Sequence, residues 1–130
     1  MGPTYAITRQ VEAPFDDVVE RVQTALADEG FGILTTIDVQ ATLGEKLGEQ
    51  IDPYIILGAC NPELASRGLA EEPDLGVLLP CNVVVRADHG GVRVAAMEPT
   101  SALALADNPA LAPLASEARD RLERAVAALQ

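Results

Sequence analysis

The sequence has no apolar run of the roughly twenty residues that a membrane-spanning helix needs, although 48% of its 130 residues are hydrophobic. Its first residues, Met1-Gly-Pro-Thr-Tyr-Ala6, lack a basic region followed by an apolar one, so the reading is no secretory leader and a cytoplasmic protein. Gly2 opens no acylation signal, because Pro3 and a strand pattern follow it. Cations are scarce. Nine Lys and Arg stand against twenty Asp and Glu, for a net charge of -11, which repels polyanions and argues against nucleic acid or an anionic membrane as a partner. Lys46 is the only lysine; a GC-rich genome or a salt-rich cytoplasm accounts for the arginine bias as readily as function does.

Histidine occurs once, at His89 between Asp88 and Gly90. Two cysteines and this turn histidine do not make a four-ligand zinc site, so no metal is expected. The three serines, Ser66, Ser101 and Ser116, lie outside any Gly-x-Ser-x-Gly elbow. Gly30-Phe-Gly32 lacks the third glycine and following helix of a phosphate-cradling loop. No cofactor is expected, and no paired-acid motif points to acid-base catalysis. Neither enzyme nor non-enzyme follows from the residues.

What is present reads as one domain over residues 1–130, large enough to bury about two-thirds of its unfolded surface. Tyr5 to Val11 alternates as a half-buried strand. Pro14, Asp16 and Asp17 open a helix whose stripe is Phe15, Val18, Val22 and Leu26 and which stops near Gly30. Phe31–Ile37 is β-branched and reads as a second strand. Asp38 caps a short helix through Val39, Leu43 and Leu47 to Gly48. Tyr54–Cys60 is an unbroken apolar strand, central or covered on both faces. Asn61 and Pro62 open a helix over residues 62–71.

Val77–Arg86 reads as a fourth strand, joined through Asp88-His-Gly-Gly91 to a fifth at Val92–Met97 as a hairpin. After Pro99 the chain is expected to be irregular, Ala-Leu-rich from Ser101 to Ala115, until Asn108-Pro109 leads into a last helix. That helix carries Leu111, Leu114, Ala118, Leu122, Ala125 and Leu129 on one face. The order β-α-β-α-β-α-β-β-α predicts an α+β fold: a single mixed, mainly antiparallel five-stranded sheet with helices packed on one face. A small α/β layer with helices on both sides is the alternative.

Two similar segments, Tyr54-Ile-Ile-Leu-Gly-Ala-Cys-Asn-Pro62 and Leu79-Pro-Cys-Asn-Val-Val-Val85, each place a Cys-Asn pair beside a proline. Cys60 immediately precedes a helix N-terminus, where free N–H groups favour a thiolate; equally, it is a small hydrophobe ending a core strand. Cys81 faces with Val83 and Val85 if strand alternation holds. In a reducing compartment both are expected as thiols rather than a structural bridge. If their strands are neighbours, the two sulfurs are placed to act as attacking and resolving thiols or to share a soft metal. Asn61 is explained as a cap, whereas Asn82 needs a hydrogen-bond partner if buried. Lys46 either sets a positive charge near a thiolate or is an exposed helix lysine beside Glu45 and Glu49.

These two segments, with Val94-Ala-Ala-Met-Glu-Pro99, resemble the uncharacterised prokaryotic family known as domain of unknown function number three hundred and two, along nearly the whole chain. The resemblance implies a TATA-binding-protein-like α+β domain that forms dimers, and implies no established reaction, substrate or cofactor. It places the family's marked positions at Gly58, Cys60, Asn61, Pro62, Leu79, Pro80, Cys81 and Asn82, with Lys46 in the helix before the first segment. Glu98-Pro99 stands where the family resemblance leads one to expect Asp-Pro. Two functions follow: a non-catalytic small-ligand or protein-binding module forming a homodimer, or a thiol-based redox, sulfur- or soft-metal-handling protein using Cys60 and Cys81.

Overall fold

Apolar residues recurring every three to four positions in some stretches and every two in others must meet on a common core, and they do so across one sheet. The computed structural model describes residues 2–130. Its strands are β1 (Ala6–Val11), β2 (Gly32–Asp38), β3 (Tyr54–Cys60), β4 (Cys81–Asp88) and β5 (Gly91–Met97); its helices are α1 (Phe15–Asp28), α2 (Val39–Leu47), α3 (Pro62–Glu71), α4 (Pro99–Leu103) and α5 (Ala112–Ala127). The strand order is β1-β5-β4-β3-β2. Every neighbouring pair is antiparallel.

The α+β expectation holds, with a sheet that is antiparallel throughout rather than mixed. Each of the two helix-bearing connections, β2 to β3 and β3 to β4, leaves and returns at one end of its own strand pair, the two lying at opposite ends of β3. Residues 39–53 carry α2 and lead back so that Asp38 pairs with Ile55. Residues 61–80 carry α3 and lead back so that Ala59 pairs with Cys81. Each is a hairpin with an enlarged loop.

One sheet face presents Val11, Leu57, Ala59, Val83, Val85, Val92, Val94 and Ala96 to Val18, Val22 and Leu26 of α1 and to Leu122, Ala125 and Val126 of α5. A second apolar cluster lies where α3, α4 and the start of α5 meet, built from Leu64, Leu75, Leu103, Leu111, Leu114, Ala115 and Ala118. The tight turn joining β4 to β5 needs two consecutive left-handed residues, supplied by His89 (φ 49°) and Gly90 (φ 84°), the geometry that matches strand twist in a two-residue hairpin.

Two stretches depart from the sequence reading. Val77 to Leu79 is not strand: Pro73–Leu78 winds as a 3₁₀ helix and β4 begins only at Cys81, because Pro73 opens the turn and Pro80 has no N–H to give a ladder. The segment after Pro99 is not irregular. It forms α4, whose first turn is capped by Glu98, and then 3₁₀ turns at Ala104–Ala106 and Pro109–Leu111. Its Ala and Leu residues have high helix propensity, and Pro99 occupies a favoured first-turn position.

Candidate functional site

The junction of β3 and α3 is set by three successive residues. Cys60 ends the strand, Asn61 caps the helix and Pro62 is its first residue. Asn61 Oδ1 accepts a hydrogen bond from the Leu64 N–H at 3.1 Å, satisfying one of the donors that a helix start leaves over. Asn61→Ala is expected to lower stability by about 1 kcal/mol, and Asn61→Ser to restore most of it; urea unfolding of the three proteins checks this.

Gly58 explains how Pro80 reaches this junction. A Cβ there would collide with Thr35 Oγ1 and lie 2.9 Å from Pro80 Cγ, closer than a methyl group can come. The bare backbone lets Thr35 and Pro80 close over β3 next to Cys60.

Beyond the junction the second apolar cluster leaves a cavity of about 50 Å³. Its walls are Leu64, Ala65 and Gly68 of α3, Leu75 of the 3₁₀ turn, Pro99 and Leu103 of α4, and Leu111, Leu114 and Ala118 at the start of α5. The sheet end of the cavity is Ala59, Cys60, Asn61, Leu79, Pro80 and Cys81. Side chains able to coordinate or hydrogen-bond are therefore confined to two thiols and one capping amide.

Both cysteines are free; Cys81 is buried and Cys60 half-buried. Burial pushes the Cys81 thiol up to about 11, and the neighbouring Cys60 adds to the rise. Cys81 is accordingly a neutral thiol at pH 7.

The remaining sequence candidates lie elsewhere. Asn82 follows Cys81 and precedes Val83, both buried, so alternation turns it to the other sheet face, where it is exposed opposite Gly58. No buried partner is needed. Lys46 is exposed in the last turn of α2 and does not line the cavity. Its helix springs from the end of the β2–β3 ladder opposite Cys60, and β3 alone is roughly 20 Å long. His89 is 94% exposed in its turn, 3.4 Å from Asp88 Oδ1.

Glu98 has a structural task that the sequence did not reveal. Its carboxylate accepts from the Thr100 N–H at 2.7 Å, from the Thr100 hydroxyl, and from Ser101 Oγ at 3.2 Å. Partial burial works against its ionisation, but these hydrogen bonds, helped by Arg119, prevail and hold the carboxyl below its usual range. The capped turn seats Pro99 and Leu103 against the cavity.

The profile of the family described as Domain of unknown function DUF302 matches residues 7–129. The chain belongs to the DUF302 family. A crystal structure of an uncharacterized conserved DUF302 protein from Bacillus stearothermophilus superposes with a TM-score of 0.92 at 30% identity, covering 98% of this chain and 100% of that one. No protein with curated annotation matches. In this DUF302 domain the two Cys-Asn segments are the two sides of one loop base, brought together by the Ala59–Cys81 pairing. Of the walls contributed by α4 and α5, Leu111, Leu114 and Ala118 stand in the last helix's apolar stripe and Pro99 ends the third family-like segment, whereas Leu103 has no trace in the sequence beyond the Ala-Leu-rich stretch from Ser101 to Ala115.

Proposed function

We propose that this DUF302 domain is a non-catalytic binding module for a small molecule whose apolar end enters the cavity between α3, α4 and α5. The observation that carries the reading is the composition of the wall: aliphatic side chains on all sides and two sulfurs at the sheet end. Sites for small ligands are mostly apolar with a few placed polar groups. A volume near 50 Å³ is well below the roughly 150 Å³ of an apolar cavity that takes benzene, so it suits a tip of a few non-hydrogen atoms, such as a short alkyl or thioether end. Sulfur on the wall favours a soft, polarisable occupant.

The test uses xenon and dimethyl sulfide as probes, followed by methyl NMR of the intact chain. Saturable shifts are expected at the methyl groups of Leu64, Leu103 and Leu114, and they should vanish in Ala65→Leu or Ala118→Leu, which fill the space. Absence of shifts in the native protein, or shifts that persist after filling, defeats the reading.

A second reading keeps Cys60 as a reactive thiol with Cys81 as its partner, and one observation favours it: both free thiols line the same cavity. The burial that raises the Cys81 pKa weighs against Cys81 itself as an attacking or metal-binding thiolate. Among the described residues no three His, Cys, Asp or Glu side chains gather as a ligand set, and no helix is long and apolar enough to cross a membrane.

A further inference from the structure

The cap at the β3–α3 junction occupies only one end of the Asn61 carboxamide. Oδ1 takes the Leu64 N–H, which turns Nδ2 the other way; no described residue accepts from Nδ2, and it is reachable from solvent. Across from it stands Arg121 of α5. Its Nη1 gives one N–H to the Glu29 carbonyl at 2.9 Å, and its Nε and Nη2 give two to Glu117 Oε2 at 3.3 and 3.1 Å. A guanidinium has five, so one on Nη1 and one on Nη2 are left over. Gly30 shows that the two groups converge. A Cβ there would lie 3.0 Å from Asn61 Nδ2 and 3.2 Å from Arg121 Nη1, with no other atom outside its chain neighbours within 4 Å. The notch they flank borders the cavity, since Asn61 lines it and so does Ala118, one turn before Arg121 on α5. Arg124 also holds Glu29 at 3.0 Å, and Arg67 lies 3.8 Å from both Glu63 and Glu117. Three arginines meet three glutamates here and the paired charges cancel, so an anion approaches without the repulsion of a chain at -11.

We propose, building on the binding reading above, that the occupant is a small carboxylate with a short alkyl or thioether tail. Its carboxylate bridges Arg121 and Asn61 beside Gly30, and its tail enters the cavity. The free groups are all donors, which suits a carboxylate, an acceptor at both oxygens. A neutral amide of the same shape turns an NH2 toward one of them. Length agrees as well. Arg121 and Ala118 differ by three residues, roughly 4.5 Å along the helix, the reach of a propyl or methylthioethyl tail.

The test titrates the full chain with butanoate, butanamide and dimethyl sulfide and follows it by NMR. Butanoate is expected to give saturable shifts at the Leu64 and Leu114 methyl groups and at the side-chain N–H signals of Asn61 and Arg121. It should bind about tenfold more tightly than butanamide, the scale of a hydrogen bond to a charged group. Dimethyl sulfide reports the cavity without the rim. Arg121→Gln and Asn61→Asp should each erase the preference for butanoate; Asp caps a helix as well as Asn does, so the second variant removes the donor and keeps the turn. Arg86→Gln, which removes a charge at the far end of the β3–β4 ladder, should leave the preference intact. Equal binding of butanoate and butanamide where dimethyl sulfide binds overturns the carboxylate and spares the binding reading, whereas silence from all three probes overturns both. A preference that survives both rim variants, or that Arg86→Gln also erases, overturns the proposal too.

Discussion

Leu122→Ala is expected to lower the free energy of unfolding by about 2–5 kcal/mol, the range for emptying a buried leucine site. Domains of this kind hold only about 5–15 kcal/mol in total, so the variant should give up a large fraction of its stability, and its thermal midpoint should fall by roughly 10 °C. The position dictates the size. Leu122 is wholly buried in α5 and packs in the cluster that includes Val83, Val85 and Val94 of the sheet and Val22 and Leu26 of α1. The surrounding backbone is a hydrogen-bonded ladder on one side and a helix on the other, and neither collapses easily into the space left behind. Leu105→Ala, at a position 78% exposed, should stay within about 0.5 kcal/mol of the parent. Chemical denaturation of the three proteins decides the matter; a Leu122→Ala loss below 1 kcal/mol would show that the α5 interface is loosely packed.

Cys81 should make the protein sensitive to alkaline pH. Its thiol is pushed from 9.0 to about 11, first by burial and second by Cys60, so the folded state holds this proton more tightly than the unfolded chain does. A group of raised pKa stabilises fully below its unfolded value and loses that contribution as pH rises through the folded one. The window is therefore about pH 9 to 11. Two pH units correspond to about 2–3 kcal/mol. Wild type should lose stability across that window more steeply than Cys81→Ala, in which every other titrating group is retained. Equal slopes would remove burial of the thiol as the cause.

The same shift predicts reactivity. In a Cys60→Ser background at pH 8, alkylation of Cys81 should run at least about tenfold slower in the native protein than in urea, because burial, the larger cause of its raised pKa, remains when Cys60 is gone and the thiolate fraction falls tenfold per pH unit. Rapid native alkylation would restore the thiol reading at once.

Much of the framework was legible in the sequence because local signals were unopposed. The Asn61-Pro62 pair fixed the start of α3, and the bounds of β3, Tyr54–Cys60, were read from an uninterrupted apolar run. The Leu111 to Leu129 stripe is buried at every position named for it. Failures came where a tertiary arrangement overrode a local one. Val77 and Leu78 look like strand residues, yet Val77 is 86% exposed in a 3₁₀ turn between two prolines. Asn82 and Lys46 were grouped with the cysteines by sequence alone, but strand alternation sends the first to the other face and the β2–β3 loop carries the second to the other end of the ladder. The α4 wall of the cavity had no local signature. Alanine and leucine are common to all helices, and only the Glu98 cap and the docking of α4 against α5 give that segment its place.

The loop of residues 61–80 leaves the sheet beside Ala59 and comes back to it at Cys81. Asn61, Leu64, Ala65, Gly68, Leu75, Leu79 and Pro80 between those points line the socket, and nothing between them supplies a rung of the β3–β4 ladder. The β3–β4 ladder thus stands apart from the α3 wall of the socket, whose other walls come from α4, the start of α5 and the strand ends themselves. Substitutions in α3 or its 3₁₀ turn that reshape this wall should leave the hairpin, from Tyr54 paired with Arg86 to Ala59 paired with Cys81, in place.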